Sequence, residues 1–178
     1  MSRANEYFSL VLAGVGGQGL VTMGTLLGEA AVIEGRNACM SSTYGTEARG
    51  SFTRTDVIVG DGEIDFIGAE SPRLVLCLAQ EALDRCLLIL EAGDEDAIFL
   101  YDSGLVTPSP DIRANSACAP FARIASEMGR PGSANLVALG AAVRLTGAVK
   151  ADSIRAAAGR LGEGAQLAVD RGYDCISQ

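Results

Sequence analysis

Four glycines in six residues, Gly14-Val15-Gly16-Gly17-Gln18-Gly19, follow directly on the apolar run Phe8–Ala13. A run that apolar reads as a strand buried on both faces of a parallel sheet. Behind the glycines, Leu20, Met23, Leu26, Leu27, Ala30 and Ala31 recur at a helical period that ends at Gly35. Strand, glycine turn and helix in immediate succession open a βα unit. In that setting Gly14, Gly16 and Gly19 satisfy G-x-G-x-x-G. Glycines let the backbone turn tightly and approach a phosphate, and the first helical amides then face it with the positive end of the dipole. Two readings stay open here: contact with a phosphate or nucleotide, or a tight turn that needs glycine for its dihedrals and packing.

The rest of the chain extends the pattern. Asn37–Ser41 reads as a second short strand, and Ser42–Gly50 as a loop. Ser51–Val59 and Glu63–Ile67, joined by Gly60-Asp61-Gly62, read as a β-hairpin. Leu74–Ala79 and Ala97–Tyr101 are further strands, with an amphipathic helix over Gln80–Leu90 between them. Later helices are expected from Pro120 and over Asn135–Leu145, Ala151–Leu161 and Glu163–Arg171. Gly24 and Gly28, each unfavourable by about 1 kcal/mol in a helix interior, predict close packing of the first helix on the sheet. At 178 residues the chain is sized for one domain, residues 1–178. The expected fold class is α/β: a three-layer Rossmann-like domain with a mostly parallel sheet, an added β-hairpin and a helical second half.

Composition excludes several chemistries. With 14 Lys+Arg against 22 Asp+Glu the formal charge is -8, which is not the footprint of a nucleic-acid binder or of a protein held on an anionic membrane. Apolar stretches stop well short of the ~20 residues of a membrane span. Histidine is absent, which removes triads, Cys-His dyads and His-ligated metals. The five cysteines, at 39, 77, 86, 118 and 175, form no C-x-x-C, so a ferredoxin-type cluster or zinc ribbon does not fit. Reduced, mostly buried thiols and a cytoplasmic location are expected, and Met1–Glu6 shows no apolar leader core behind Arg3. A dinucleotide site would place an acid about 20 residues past the glycines. Met40-Ser41-Ser42-Thr43 offers none, while Glu34 and Arg36 come too early.

A second cluster, Tyr44-Gly45-Thr46-Glu47-Ala48-Arg49-Gly50, sets opposite charges and a tyrosine among glycines. Arg49 could grip a phosphate or carboxylate through its guanidinium fork, oriented by Glu47. The alternative is an exposed ion pair, under about 1 kcal/mol, that only shapes the loop. Taken together, G-x-G-G-Q-G and Y-G-x-E-x-R-G resemble the gamma subunit of 2-oxoacid:ferredoxin oxidoreductases, the family of the pyruvate, 2-oxoglutarate, 2-ketoisovalerate and indolepyruvate enzymes. Ala134-Asn135-Leu136-Val137-Ala138-Leu139-Gly140 resembles a third family stretch. Thr46 and Ser51 depart from the usual proline and glycine, and Ala165 stands where an asparagine is usual ahead of Gly172.

The resemblance implies a non-catalytic subunit that contributes to assembly and to coenzyme A binding in an enzyme converting a 2-oxoacid to acyl-CoA and reducing ferredoxin. It implies coenzyme A contacts at Gly14, Gly16, Gly17, Gln18, Gly19, Tyr44, Glu47 and Arg49, with no catalytic residue and no metal on this chain. Thiamine pyrophosphate, Mg and [4Fe–4S] clusters are then carried by partners: thiamine-binding alpha and beta subunits and a ferredoxin-like delta subunit, with ferredoxin as acceptor. Alone, the chain is expected to be inactive and to self-associate, as a homodimer for example, through apolar surface on second-half helices such as Asn135–Leu145. Two other readings remain at this point: the beta subunit of an indolepyruvate:ferredoxin oxidoreductase, and a stand-alone nucleotide-binding Rossmann-like protein.

Overall fold

A computed structural model describes residues 7–45, 51–65, 68–69, 71–92, 96–110, 112 and 115–176. The described chain runs β1 (Tyr7–Val15), α1 (Leu20–Ile33), β2 (Asn37–Tyr44), β3 (Phe52–Gly60), β4 (Leu74–Cys77), α2 (Gln80–Ala92), β5 (Ile98–Asp102) and β6 (Asn115–Ala119). Four helices follow: α3 (Phe121–Glu127), α4 (Ala134–Thr146), α5 (Ala151–Gly159) and α6 (Glu163–Asp174). Six strands form one sheet in the order β2-β3-β1-β4-β5-β6. The pairs β1–β4, β4–β5 and β5–β6 are parallel, and β3 alone runs against its neighbours β1 and β2.

The antiparallel pair is not the expected one. Instead of folding forward onto residues 63–67, β3 pairs back onto β2, from Tyr44↔Thr53 to Asn37↔Gly60. Val57, Ile58 and Val59 are all buried, so β3 needs cover on both edges and both faces, which an exposed hairpin would not give. The Gly60-Asp61-Gly62 turn is held crosswise: the Asn37 amide donates to the Gly62 carbonyl at 2.9 Å and the Tyr7 hydroxyl to the Glu63 carbonyl at 2.9 Å. Residues 63–65 join no strand, and 66–67 lie outside the described residues. β2 runs on to Tyr44, into the stretch expected to be loop. β6, Asn-Ser-Ala-Cys-Ala on the opposite edge, carries too little apolar signal to read as a strand.

Each face of the sheet has its own core. On one, Leu10, Leu12, Val57, Leu74, Leu76 and Leu100 pack under Met23 and Leu27 of α1 and Leu139 of α4. On the other, Val11, Val75, Cys77 and Phe99 pack under Ala82, Leu83 and Cys86 of α2. Gly24 does allow close approach, since a Cβ there would stand 2.9 Å from Thr55 Cγ2; at Gly28 the nearest atom, Ala38 Cβ, is an ordinary 3.8 Å away. Helices α4 and α6 cross backbone to backbone. A Cβ on Gly140 would run into the Val169 carbonyl, and one on Gly172 into that of Val137. Helix α4 buries Leu136 through Val143 in the core, so it is not the exposed apolar interface expected of it. The thiols also differ from expectation: Cys77 and Cys86 are buried, Cys39 is partly so, and Cys118 and Cys175 are exposed.

Candidate functional site

β1 and β4 lie side by side and parallel, yet β1 feeds α1 on one face while β4 feeds α2 on the other. Where consecutive connections leave a parallel sheet in opposite directions, a crevice opens outside the carboxyl ends of the strands. Here it encloses about 290 Å³, lined by Gly17, Gln18, Gly19, Leu78, Asp102, Leu105, Ala122, Pro131, Gly132, Ala134 and Asn135.

Each residue of the glycine turn has its own setting. Gln18 turns inward: its Oε1 accepts the Val15 N–H at 2.8 Å and its Nε2 donates to the Leu78 carbonyl at 2.9 Å. The side chain thus bolts together the carboxyl ends of β1 and β4, and the missing Cβ of Gly14 makes room for its amide. Gly17 and Gly19 take left-handed backbone, φ 93° and 72°, which favours glycine. Gly19 also lacks room for a side chain, because Asn135 of α4 fills that space and donates from Nδ2 to the Gly19 carbonyl at 3.3 Å. Gly16 differs. Its backbone is not left-handed, and a Cβ would meet only the Ser51 carbonyl oxygen, 3.9 Å away. Gly16 and Gly17 are both exposed.

The electrostatics divide the crevice. Helix α1 starts with neither a side-chain cap nor an acidic residue in its first turn, and α4 does likewise, so positive helix ends face the opening. Asp102, 1% exposed at the end of β5, accepts the Gly104 and Ala122 N–H groups, each at 2.8 Å. Its carboxylate thereby turns the chain after β5 and caps α3. Sequence reasoning missed this role, although Asp102-Ser103-Gly104 closing a strand is a turn signature. Asn135 was visible only as part of a motif; its place against Gly19 depends on a contact across 116 positions.

The second motif reaches the first through its described ends. The Gly16 N–H donates to the Ser51 carbonyl at 3.0 Å, so the β2–β3 connection ends beside the glycine turn, and at its start the Gly45 N–H donates to the Phe52 carbonyl at 2.8 Å. Tyr44 is 62% exposed and does not line the crevice. Glu47 and Arg49 lie outside the described residues. The buried thiols stand apart: a hydrogen bond to Cys86, with burial, holds Cys77 well above the usual thiol range, while the same bond lowers Cys86 against the opposing effect of burial. Among the described residues no helix is long and apolar enough to cross a membrane.

The family profile of pyruvate ferredoxin/flavodoxin oxidoreductase matches residues 9–174. The chain belongs to this family. It is 37% identical over 150 residues to the 2-oxoglutarate synthase subunit KorC of Methanocaldococcus jannaschii, covering 82% of this chain and 79% of that one. A crystal structure of the gamma subunit of a keto/oxoacid ferredoxin oxidoreductase from Geobacter sulfurreducens PCA superposes with a TM-score of 0.80 at 33% identity, covering 94% of this chain and 96% of the other. A 2-oxoglutarate:ferredoxin oxidoreductase from Magnetococcus marinus, with 2-oxoglutarate, coenzyme A and succinyl-CoA bound, shares the fold at a TM-score of 0.81 and 20% identity, over 95% of this chain and 30% of that one. The chain is a gamma subunit of a multisubunit 2-oxoacid:ferredoxin oxidoreductase, as the paired motifs imply. That reading prevails over the indolepyruvate and stand-alone alternatives.

Proposed function

We propose that this gamma subunit holds coenzyme A for the acyl-transfer end of the reaction, with the cofactor's diphosphate along Gly16 and Gly17 at the start of α1. Gly16 carries the proposal. Gly14, Gly17 and Gly19 each answer to a dihedral or a crowding side chain within the fold, whereas Gly16, exposed beside Gly17 and with its N–H bonded to the Ser51 carbonyl, has neither a left-handed backbone nor a side chain pressing on it. The positive end of α1 favours a diphosphate there. Asp102, at the back of the same crevice, keeps that charge at the rim and leaves the interior to uncharged parts of the cofactor. Bound coenzyme A supplies the thiol that accepts the acyl group. Arg49, from the connection that ends beside Gly16, adds a guanidinium contact to phosphate. Thiamine-binding alpha and beta subunits, with Mg, and a ferredoxin-like delta subunit carrying [4Fe–4S] clusters supply decarboxylation and electron transfer to ferredoxin.

Gly16→Ala in the assembled enzyme tests this. The isolated variant keeps its thermal stability to within about 0.5 kcal/mol, since the new methyl meets only the Ser51 carbonyl oxygen, at an ordinary contact distance of 3.9 Å. A methyl between backbone and diphosphate raises the KM for coenzyme A about 5- to 100-fold, the equivalent of ~1–3 kcal/mol of overpacking, and leaves 2-oxoacid decarboxylation unchanged. Arg49→Ala raises it roughly ten- to hundred-fold, with partial recovery in Arg49→Lys. An unchanged coenzyme A dependence in fully assembled Gly16→Ala overturns the placement.

A further inference from the structure

We propose that Arg85 of α2, held over Phe52 of β3, binds the 3′-phosphate of coenzyme A, which lays the adenosine end on the α2 side of the glycine turn and the pantetheine arm in the crevice. This deepens the coenzyme A reading above, on which it rests, by giving the cofactor a direction and a residue that selects it. Two contacts lead from Gly16 to Arg85. The Gly16 N–H is bonded to the Ser51 carbonyl, and the next residue, Phe52, stands opposite Val15 at the end of the β1–β3 ladder. The Phe52 ring is half-buried against the core beneath α2, and the Arg85 guanidinium lies over it, 6.0 Å from the ring centroid. A cation is attracted to an aromatic face, so the positive charge is stationed beside the turn instead of swinging through solvent.

That charge is uncommitted. Arg85 is exposed, and among the described residues no carboxylate pairs with it, neither Glu81 one turn back on α2 nor Asp84 beside it. Arg54, on the same face of β3 as Phe52, is by contrast committed to Asp56, with Nη2 donating to Oδ2 at 2.8 Å. A phosphomonoester carries close to two negative charges at neutral pH, and a guanidinium fork meets two of its oxygens. Coenzyme A has one such group, the 3′-phosphate, a single sugar away from the diphosphate, whereas its pantetheine arm is uncharged. Electrostatics then sets the direction. Asp102, buried at the back of the crevice, opposes the phosphate end and admits the arm, while Arg85, outside the crevice, draws the phosphate.

Calorimetric titration of the assembled enzyme, without 2-oxoacid, with coenzyme A and with 3′-dephospho-coenzyme A decides it. The parent enzyme binds coenzyme A about ten- to hundred-fold tighter than the dephospho ligand, the range of one charge-assisted contact. Arg85→Gln, which keeps a long side chain over Phe52 without the charge, raises the Kd for coenzyme A by that factor and leaves the Kd for the dephospho ligand within about twofold. Arg85→Lys retains part of the discrimination, because it keeps the charge and loses the fork. Gly16→Ala weakens both ligands alike, since the diphosphate is common to them. Three results overturn the role of Arg85: a parent enzyme that does not discriminate, an Arg85→Gln enzyme that still does, or one that loses both ligands equally. Unchanged binding of both ligands in Gly16→Ala is the separate result that overturns the diphosphate placement, and with it the direction.

Discussion

Replacing Gln18 with leucine separates a residue that holds the crevice together from one that holds a ligand. Leucine keeps the bulk and removes both amide bonds, 2.8 Å from the Val15 N–H and 2.9 Å to the Leu78 carbonyl. Each such bond contributes about 1 kcal/mol net, and a buried backbone group left without its partner costs about 1–3 kcal/mol. Leu78 is nearly fully buried, so its carbonyl bears the larger penalty, whereas Val15 is half-buried and its N–H regains water in part. The sum is about 2–4 kcal/mol. For a chain of this length, 1 kcal/mol moves Tm by about 2–4 °C, so Gln18→Leu melts roughly 4–16 °C lower. Thermal unfolding followed by circular dichroism on the isolated chain, with no coenzyme A present, reads this directly. Gln18→Glu melts at least as far below the parent at neutral pH, because a carboxylate oxygen then faces the Leu78 carbonyl in place of a donor. A Tm unchanged to within about 1 °C in Gln18→Leu, together with a raised KM for coenzyme A, would refute this reasoning and make the side chain a ligand group.

Two further perturbations follow from the same packing. Gly140→Ala is destabilised by about 2–4 kcal/mol net of the ~1 kcal/mol helix-propensity gain, because the new methyl drives α4 off the α6 backbone; Gly28→Ala, which meets only ordinary contact, gains about 0.5–1 kcal/mol. Urea midpoints of the pair should therefore move in opposite directions. Asp102→Asn loses about 2–3 kcal/mol, since an amide accepts only one of the two N–H groups and sets its own donor against the other; proteolysis cutting first between β5 and α3 would confirm where the damage falls.

The βα opening was legible because it is local: an apolar strand, its glycines and the helix behind them occupy residues 7–33 without a break. The helices of the second half were legible for the same reason. What sequence reading missed depends on distant pairing. The hairpin was misplaced because Gly60-Asp61-Gly62 looks like a turn wherever β3 pairs, and only burial on both faces shows that β2 must cover it. β6 was missed because a five-residue edge strand with one buried side chain needs little hydrophobicity. Helix α4 was misjudged because buried and interface helices carry the same aliphatic residues.

The glycine motif shows where pattern and physics part. As letters, Gly14, Gly16, Gly17, Gln18 and Gly19 make one phosphate-binding signature. In the fold they divide by what occupies the space a side chain would fill: the Gln18 amide at Gly14, Asn135 at Gly19, and at Gly17 open space behind a left-handed backbone. Those three are what a strand-to-helix turn at a crowded crevice demands, ligand or none. Gln18, the most chemically capable residue of the motif, has its amide engaged at both ends. The case for a cofactor at this turn therefore rests on Gly16 alone, which neither dihedral nor neighbour requires. Its substitution is accordingly the one change in the motif expected to alter coenzyme A binding while leaving the fold as stable as before.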